Sequence, residues 1–294
     1  MYPALIEEYV RPQSVADALA AIARYEAGDA IFLAGGQSAM QAMKSRMLRP
    51  QCVVDLQAIS ELKGIVSDAS GVRIGAMTRY VEIAASAELQ GGFAALGDAA
   101  RRVGDRQVRN RGTIGGSVCW NYAASCTPAV VLGLQGQLRL TSGDGASRSV
   151  AADDFFLGPL ETARNDDEIL LSVEWPLFVE RSGSAYAKWG LVTDALPVIG
   201  VCVRVSLDAD GRCESARVVL SGLANGATHV AAGDSLLLGC DGDADAIEAA
   251  LKRIAQDTDT HSDMSADADY RRQLIVSIGR DVTATAFRRA RGEA

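Results

Sequence analysis

The feature that most constrains the fold is an apolar run that breaks on two glycines and continues as a helical pattern. Residues 30–34, AIFLA, are apolar throughout and bounded by turn residues, which is typical of a strand buried on both faces. After Gly35-Gly36, methionines recur at helical spacing until Pro50, and CVVDL at 52–56 predicts another buried strand. A β-α-β unit is therefore predicted, in which the glycines either turn a corner or hold a phosphate group.

Hydrophobic spacing predicts further elements, and turn residues mark their ends. The predicted elements are a helix capped by Ser14 and closed by Gly28, a strand at 71–78, a helix at 79–86 capped by Thr78, a helix at 93–103, a hairpin at 137–156 turning at 143–145, a strand at 168–176, a linker at 176–183, a hairpin turning at 208–211, and helices at 244–256 and 267–290. Breaks near residues 56 and 176 divide the chain into three predicted segments, 1–56, 57–176 and 177–294.

The charge and the N-terminus disfavour several kinds of partner and location. With 29 basic and 37 acidic residues the net charge is -8, which disfavours binding to nucleic acid or to an anionic membrane. No stretch reaches the roughly 18 uninterrupted apolar residues of a spanning helix. Glu7 and Glu8 stand where a signal peptide would have a basic start, so none is predicted. We therefore expect a cytoplasmic protein without a membrane span.

The cysteines and histidines predict no metal centre in this chain. The six cysteines include no C-x-x-C pair, which argues against a zinc site or an iron–sulfur cluster. Only two histidines, His229 and His261, are available for a histidine base or a multi-histidine metal site. We therefore expect any chemistry to come from a cofactor.

A second glycine segment, GTIGGS at 112–117, again places two glycines before a small hydroxyl residue. Glycine leaves backbone N–H groups unobstructed by a Cβ, so two such segments can grip the pyrophosphate of one dinucleotide from opposite sides. The alternative is that each pair is a tight turn packed beneath a helix. Neither G-x-G-x-x-G nor G-x-x-x-x-G-K-[ST] occurs, which argues against a Rossmann or P-loop site.

Eight motifs, in order along the chain, carry a resemblance to a known family. They are AGGQS, MKSRMLRP, VVDL, IGAMT, RNRGTIGGS, DDFFLGPLET, EILLSVEWP and YRRQL, and the similarity as a whole runs from about residue 3 to about residue 288. In these motifs the chain resembles the FAD-binding medium subunit of the molybdenum hydroxylases, which include aerobic carbon monoxide dehydrogenase and bacterial relatives of xanthine dehydrogenase. The resemblance implies an α+β fold of the PCMH type, with two α/β subdomains followed by a C-terminal subdomain of sheet plus helices.

The resemblance also implies where FAD binds. The implied residues are Phe32, Leu33, Ala34, Gly35, Gly36, Gln37, Ser38, Ala39, Val103, Thr113, Ile114, Gly115, Gly116, Ser117, Cys126, Leu170 and Lys188. For Val103 and Leu170, ordinary core packing is the alternative interpretation, and for Lys188 it is a solvated surface charge. The segment 188–194, with Trp189 and Asp194, is implied to lie by the isoalloxazine ring and to affect access of the electron acceptor.

Position 126 departs from the family pattern. Relatives often carry an aspartate there that binds the cofactor, whereas this chain has Cys126, and a thiol is a poor replacement for a carboxylate that accepts hydrogen bonds from hydroxyls. Either Asn121, Ser125 or another group takes over the contact, or the contact is lost and FAD is bound less tightly.

By resemblance, the chain carries no catalytic residue for the organic substrate. It is implied to bind FAD and to pass electrons from [2Fe–2S] clusters of a small partner subunit to an external acceptor, while a large partner subunit holds the molybdenum cofactor. The implied assembly is a dimer of heterotrimers. Two alternatives remain open. One is a self-contained flavin oxidase of the vanillyl-alcohol-oxidase type, and the other is a scaffold subunit with a degenerate nucleotide site, which only Cys126 favours.

Overall fold

The first sheet is built from the β-α-β pattern at residues 30–56. In the computed structural model, which describes residues 5–293, the first elements are β1 (Glu8–Val10), α1 (Val15–Ile22), β2 (Ala30–Leu33), α2 (Ala39–Lys44) and β3 (Cys52–Asp55). The strands form a parallel sheet in the order β1-β3-β2. The predicted β-α-β unit is therefore confirmed, and residues 1–4 and 294 of the predicted end segments lie outside the described residues.

Helix α1 begins where the sequence predicts and ends earlier. The Ser14 hydroxyl accepts a hydrogen bond from the Asp17 N–H at 3.1 Å, so the predicted N-cap is confirmed. The prediction that Gly28 closes the helix is wrong. After Ile22 the backbone tightens into i→i+3 bonds, such as Tyr25 N–H to the Ile22 carbonyl, and Gly28 lies in a later turn.

The middle of the chain forms seven strands. They are β4 (Ile65–Asp68), β5 (Gly71–Gly75), β6 (Gln137–Thr141), β7 (Ser147–Ala151), β8 (Phe156–Gly158), β9 (Glu161–Thr162) and β10 (Ile169–Trp175). Five of them make an antiparallel sheet in the order β4-β5-β10-β6-β7, and β8 pairs with β9. The hairpin turning at 143–145 and the strand predicted at 168–176 are confirmed.

Six helices lie in the same part of the chain. They are α3 (Tyr80–Ala85), α4 (Ala94–Arg102), α5 (Arg106–Arg109), α6 (Ile114–Trp120), α7 (Cys126–Gly133) and α8 (Ala152–Phe155). The helices predicted at 79–86 and 93–103 are confirmed, but the predicted Thr78 cap is wrong. The Thr78 hydroxyl instead bonds to the backbone of Gly64, accepting from its N–H at 2.9 Å and donating to its carbonyl at 3.0 Å.

The last part of the chain forms a four-stranded antiparallel sheet and three helices. They are β11 (Ser182–Trp189), β12 (Ile199–Leu207), β13 (Cys213–Leu223), β14 (Gly226–His229), α9 (Ala231–Leu237), α10 (Ala244–Asp257) and α11 (Ala268–Ala290), with strand order β11-β12-β13-β14. The hairpin turning at 208–211 and both C-terminal helices are confirmed. The predicted linker is too long, because Ser182 and Gly183 already pair with β12. Within residues 5–293 no helix combines the length and the apolar character needed to cross a bilayer.

A buried carboxylate ties α4 to the last sheet and the last helix. Asp98 is 6 % exposed; its Oδ2 atom accepts from the Tyr186 N–H at 3.2 Å and from the Arg289 guanidinium at 2.6 Å. Arg289 also donates to the Ser184 carbonyl at 2.7 Å. Burial alone would raise the pKa of Asp98, but the hydrogen bonds and the charge of Arg289 outweigh it, so this pKa lies below its ordinary value.

We expect Asp98→Ala to lower the free energy of unfolding by about 3–5 kcal/mol, because the substitution leaves the Arg289 guanidinium without its buried partner. The matched control is Asp257→Ala, which removes an exposed pair with Arg253 and is expected to cost less than about 1 kcal/mol. Urea unfolding of both variants at pH 7 measures the difference. An equal loss of unfolding free energy in the two variants would contradict the view that Asp98 is a buried partner of Arg289.

The lowered pKa of Asp98 fixes the direction of the pH dependence. A depressed folded-state pKa gives stability that is complete above the unfolded-state value of about 3.9 and is lost as the pH falls through the folded-state value. The destabilisation by Asp98→Ala is therefore expected to shrink in acid. A difference between wild type and Asp98→Ala that stays constant over the whole acid titration would refute this reasoning.

Candidate functional site

A cleft of about 650 Å³ lies where the first sheet, the glycine-rich helices and the loop between β11 and β12 meet. Its walls come from the strand and turn at 28–39, residues 76–80, residues 103–125, residues 164–170, and the 190–198 loop, through Asp194 and Leu196. A cleft of this volume is within the range of cofactor sites. Most of its wall is backbone and apolar side chain, so the polar groups that remain define what it can bind.

The first glycine turn presents unpaired backbone donors to this cleft. After β2 the chain turns at Gly36, which has φ +74°, and α2 begins at Ala39. Among the hydrogen bonds between described residues, none uses a backbone N–H of residues 35–39 as its donor. Consecutive free donors at the start of a helix favour an anion, because the helix dipole adds positive potential at the same place.

The second glycine segment is the first turn of α6, and its N–H groups are already used. The Ile114 N–H donates to the Thr78 carbonyl at 3.1 Å and the Gly115 N–H donates to the Ala76 carbonyl at 2.9 Å. The N–H groups of Gly116 and Ser117 donate to the hydroxyl and the carbonyl of Thr113, the N-cap. Free N–H groups were expected from both glycine segments; the first segment has them at residues 35–39, whereas in the second segment the N–H groups of residues 114–117 are all donated within the chain.

The two glycine segments touch each other. A Cβ built on Gly35 would lie 2.1 Å from the Arg111 carbonyl oxygen and 2.8 Å from the Gly112 Cα, so only glycine fits there. One turn further on, a Cβ on Gly116 would lie 3.2 Å from the Ala34 Cβ. Because the backbones meet directly, the free N–H groups of 35–39 and the start of α6 border one cleft.

The cleft brings together most of the residues predicted from the resemblance. It is lined by Phe32, Ala34, Gly35, Gly36, Gln37, Ser38, Ala39, Val103, Thr113, Gly115, Gly116, Ser117 and Leu170. Leu33, Ile114, Cys126 and Lys188 do not line it. Leu33 and Ile114 are buried, Leu33 against Met43 and Ile114 within the core of the second sheet.

Cys126 lies behind the wall of the cleft. It is 5 % exposed, its thiol lies by the hydroxyl of Tyr186, and burial raises the pKa of this thiol. The preceding residue, Ser125, does line the cleft, and its side chain makes no cap bond to α7. Asn121 is occupied, because its amide donates to the carbonyls of Gly158 and Glu161 at 2.7 and 3.0 Å. Of the two named replacements for the family aspartate, Ser125 is the one with a free side chain in the cleft.

Lys188 acts on the cleft through its loop. Its ammonium donates to the carbonyl of Ala195, between the two lining residues Asp194 and Leu196. Burial lowers the pKa of Lys188. The solvated-surface interpretation of Lys188 is therefore wrong, and its contact supports the loop wall.

The aromatic part of the lining was missed by sequence reasoning. Trp120 and Tyr122 both line the cleft, and Tyr122 is 43 % exposed. They flank Asn121, which ends α6 with φ +44°. Asparagine tolerates the left-handed conformation at a helix end, so the Trp-Asn-Tyr sequence was the available signal. Tyr80 also lines the cleft; its hydroxyl lies 2.8 Å from the Thr127 hydroxyl, and burial raises the pKa of Tyr80 to about 12, which keeps it neutral.

Comparison with known proteins places the chain in a family. Residues 5–178 match the family model described as the FAD binding domain in molybdopterin dehydrogenase, and residues 184–286 match the CO dehydrogenase flavoprotein C-terminal domain. The chain is 33 % identical over 264 residues to the carbon monoxide dehydrogenase medium chain of Hydrogenophaga pseudoflava, covering 90 % of this chain and 91 % of that relative. It is 30 % identical over 267 residues to the nicotine 6-hydroxylase medium subunit of Paenarthrobacter nicotinovorans, covering 91 % and 92 %.

A solved structure agrees with these matches. Carbon monoxide dehydrogenase from Hydrogenophaga pseudoflava, in a form lacking the Mo-pyranopterin moiety of its molybdenum cofactor, aligns with a TM-score of 0.90 and 31 % identity over 98 % of this chain and 99 % of the solved chain. The resemblance and the α+β fold class are thereby confirmed, and the chain is an oxidoreductase subunit with an FAD-binding domain. Together with the glycine-bordered cleft, these findings show that the chain belongs to the family of FAD-binding medium subunits of the molybdenum hydroxylases.

Proposed function

We propose that this chain binds FAD in the cleft and passes electrons from [2Fe–2S] clusters of a partner subunit to an external acceptor. The observation that carries the proposal is the run of free N–H donors at residues 35–39, which faces a cofactor-sized cleft inside a matched FAD-binding domain. A pyrophosphate carries two negative charges and several acceptor oxygens, and it is the part of FAD that needs such donors.

The remaining residues of the cleft fit FAD as well. The side chains of Phe32, Val103 and Leu170 offer apolar surface for the ring systems, and Trp120 and Tyr122 add aromatic faces. The second glycine segment contributes by its small size, since a side chain on Gly116 would narrow the space beside Ala34. The fit supports non-covalent binding of FAD.

Each predicted segment has a part in this proposal. Segments 1–56 and 57–176 hold FAD between them, and segment 177–294 closes the cleft through the 190–198 loop. When bound, FAD supplies a redox group that accepts electrons from a metal cluster and releases them to an acceptor. The chain binds the pyrophosphate at 35–39, orients the rings against its apolar walls, and limits the access of water and acceptor with its loop.

The partners in this proposal are a large subunit with the molybdenum cofactor and a small [2Fe–2S] subunit, with two such heterotrimers forming a dimer. The names of the relatives support this, because a medium chain implies a larger and a smaller one. The organic substrate is assigned to the large subunit. Carbon monoxide and nicotine appear in the names of two relatives that match over similar lengths, which supports a substrate choice made outside this chain.

The observations favour this proposal over a tethered flavin oxidase and over a degenerate scaffold. No histidine is among the described residues that line the cleft, and histidine is a common attachment point for covalent flavin. The scaffold alternative rested on Cys126, which lies outside the lining, while the free N–H groups at 35–39 are intact.

We expect about one FAD per chain, released by acid, when the chain is purified with its partner subunits. The visible spectrum of the complex and the flavin content of the acid supernatant measure this. A stable but flavin-free complex would refute FAD binding, and flavin that stays with the acid precipitate would favour the tethered oxidase.

Ser38→Asp tests the anion site without disturbing the fold. Ser38 is exposed, precedes α2 and makes no cap bond, so an aspartate there breaks no contact within the chain and adds a negative charge that repels pyrophosphate. We expect FAD affinity to fall at least about tenfold, or about 1.4 kcal/mol, while thermal stability without FAD is kept. The control is Ser38→Asn, because asparagine has nearly the size of aspartate but no charge. This variant is expected to bind FAD nearly as tightly as wild type. Similar loss in both variants would argue against the electrostatic site.

Ser125→Ala and Cys126→Ala test which residue takes over the contact of the family aspartate. Ser125 faces the cleft and Cys126 faces Tyr186, so Ser125→Ala is expected to lose one hydrogen bond, roughly fivefold in FAD affinity, and Cys126→Ala is expected to change it less than about twofold. Flavin-fluorescence titration of the FAD-depleted protein measures both affinities. A larger loss of FAD affinity in Cys126→Ala than in Ser125→Ala would assign the contact to Cys126 instead.

A further inference from the structure

Arg271 carries a permanent charge in a position that is costly for it. It lies in the first turns of α11 and is 2 % exposed, which makes it one of the largest fully buried side chains among the described residues. A buried guanidinium loses hydration, and a cation near a helix N-terminus opposes the helix dipole. The cost of burying this guanidinium must therefore be offset by the groups to which it binds.

The guanidinium of Arg271 joins three pieces of chain. Its Nη1 atom donates to the carbonyls of Val198 and Gly222, at 2.5 and 2.8 Å. Its Nη2 atom lies 2.7 Å from the carboxylate of Asp263, in the segment before α11. Its Nε atom has no partner among the described residues, so the geometry is set by the two outer nitrogens.

Gly222 makes the convergence of the two carbonyls possible. It has φ +84°, and a Cβ there would lie 2.4 Å from the Val198 carbonyl oxygen. Only glycine allows the backbone of β13 to approach Val198 this closely. The chain thus brings two carbonyl oxygens to one nitrogen of Arg271, which suits a donor with a fixed planar geometry.

Val198 is the last residue of the 190–198 loop. Its N–H donates to the carbonyl of Trp189 at 2.8 Å and closes the base of the loop. Trp189 itself packs edge-on against Tyr270, with ring centroids 5.4 Å apart. Neighbouring residues of α11, Tyr270 and Arg271, therefore hold the two ends of the loop.

The loop above this base is otherwise sparsely held. Leu191, Val192 and Leu196 are 60 %, 67 % and 56 % exposed, and the Lys188 ammonium holds the Ala195 carbonyl. Asp194 and Leu196 nevertheless form the wall that the last sheet adds to the cleft. The position of this wall therefore depends on the base of the loop and on the Lys188 contact.

We propose that Arg271 is a positioning residue that sets the place of the 190–198 loop over the cleft and thereby the access of solutes to the bound flavin. Asp263 fixes the orientation of the guanidinium. The carboxylate of Asp263 is itself held by the N–H groups of Ser265 and Ala266, which donate to its Oδ1 atom at 2.8 and 3.1 Å. The statement about flavin access rests on the proposed function, and the statement about the loop does not.

The test compares three variants in the intact complex. Arg271→Lys keeps the charge and loses the fork that spans Val198, Gly222 and Asp263. Asp263→Asn removes the negative charge that faces the Arg271 guanidinium. Because Asp263 is partly exposed, this variant can be used if Arg271→Lys fails to fold. Arg280→Gln is the control, because Arg280 lies on the same helix and makes an exposed pair with Glu248.

Two readouts separate loop position from overall stability. Hydrogen exchange of the peptide covering 190–198 is expected to become roughly tenfold faster in Arg271→Lys and Asp263→Asn, with β12 and the part of β13 before Gly222 unchanged. Iodide quenching of flavin fluorescence is expected to rise at least about twofold, since the loop no longer covers the cleft. Arg280→Gln is expected to match wild type in both.

The outcomes are distinguishable. Faster exchange spread evenly over the last sheet, or a 190–198 peptide that exchanges as in wild type, would overturn the positioning role. Unchanged iodide quenching with a loosened loop would overturn the access claim. If the wild-type complex holds no flavin, the proposed function fails, while the exchange of the 190–198 peptide still tests Arg271.

Discussion

The cleft depends on a contact between two stretches of backbone that have no side chain between them. Gly35 lies against the Arg111 carbonyl and the Gly112 Cα, and this closeness locks the first sheet to the start of α6. Packing of this kind tolerates almost no added volume, so a single methyl group at Gly35 would separate the two walls. This contact, together with the core that joins Ala30 and Val54 to Met77 and Ile169, brings the free donors at 35–39 beside the apolar residues of the cleft.

Much of the fold follows from local pattern. Ser14 caps α1 as its position before an apolar stripe predicts, and the hairpins turning at 143–145 and 208–211 form around glycine and aspartate turns. The errors lie where long-range contacts override local signals. The residues around Thr78 predict a helix cap, but its hydroxyl bonds to the backbone of Gly64, which is distant in sequence. Gly28 does not close α1, because the helix already ends in i→i+3 bonds after Ile22.

The sequence could predict most residues that border the cleft. It could not predict which of them leave a hydrogen-bonding group free for a ligand. Glycine pairs at 35–36 and 115–116 look alike in sequence, yet one leaves its N–H groups free and the other donates them within the chain. Sequence cannot distinguish them, because the difference lies in whether a carbonyl such as that of Ala76 is near. The same limit applies to Ser125 and Cys126, which are adjacent and face opposite sides of one wall.

The unpaired donors at 35–39 have a consequence for the life of the chain before assembly. A ligand that binds only the folded form stabilises it in proportion to the logarithm of its concentration over its dissociation constant. No hydrogen bond between described residues uses the N–H groups of 35–39 as donors, so a bound anion adds contacts beside Gly35 that the chain does not supply itself. On the proposed function, bound FAD therefore stabilises the folded chain, and chains that hold FAD are expected to resist proteolysis better than chains without it.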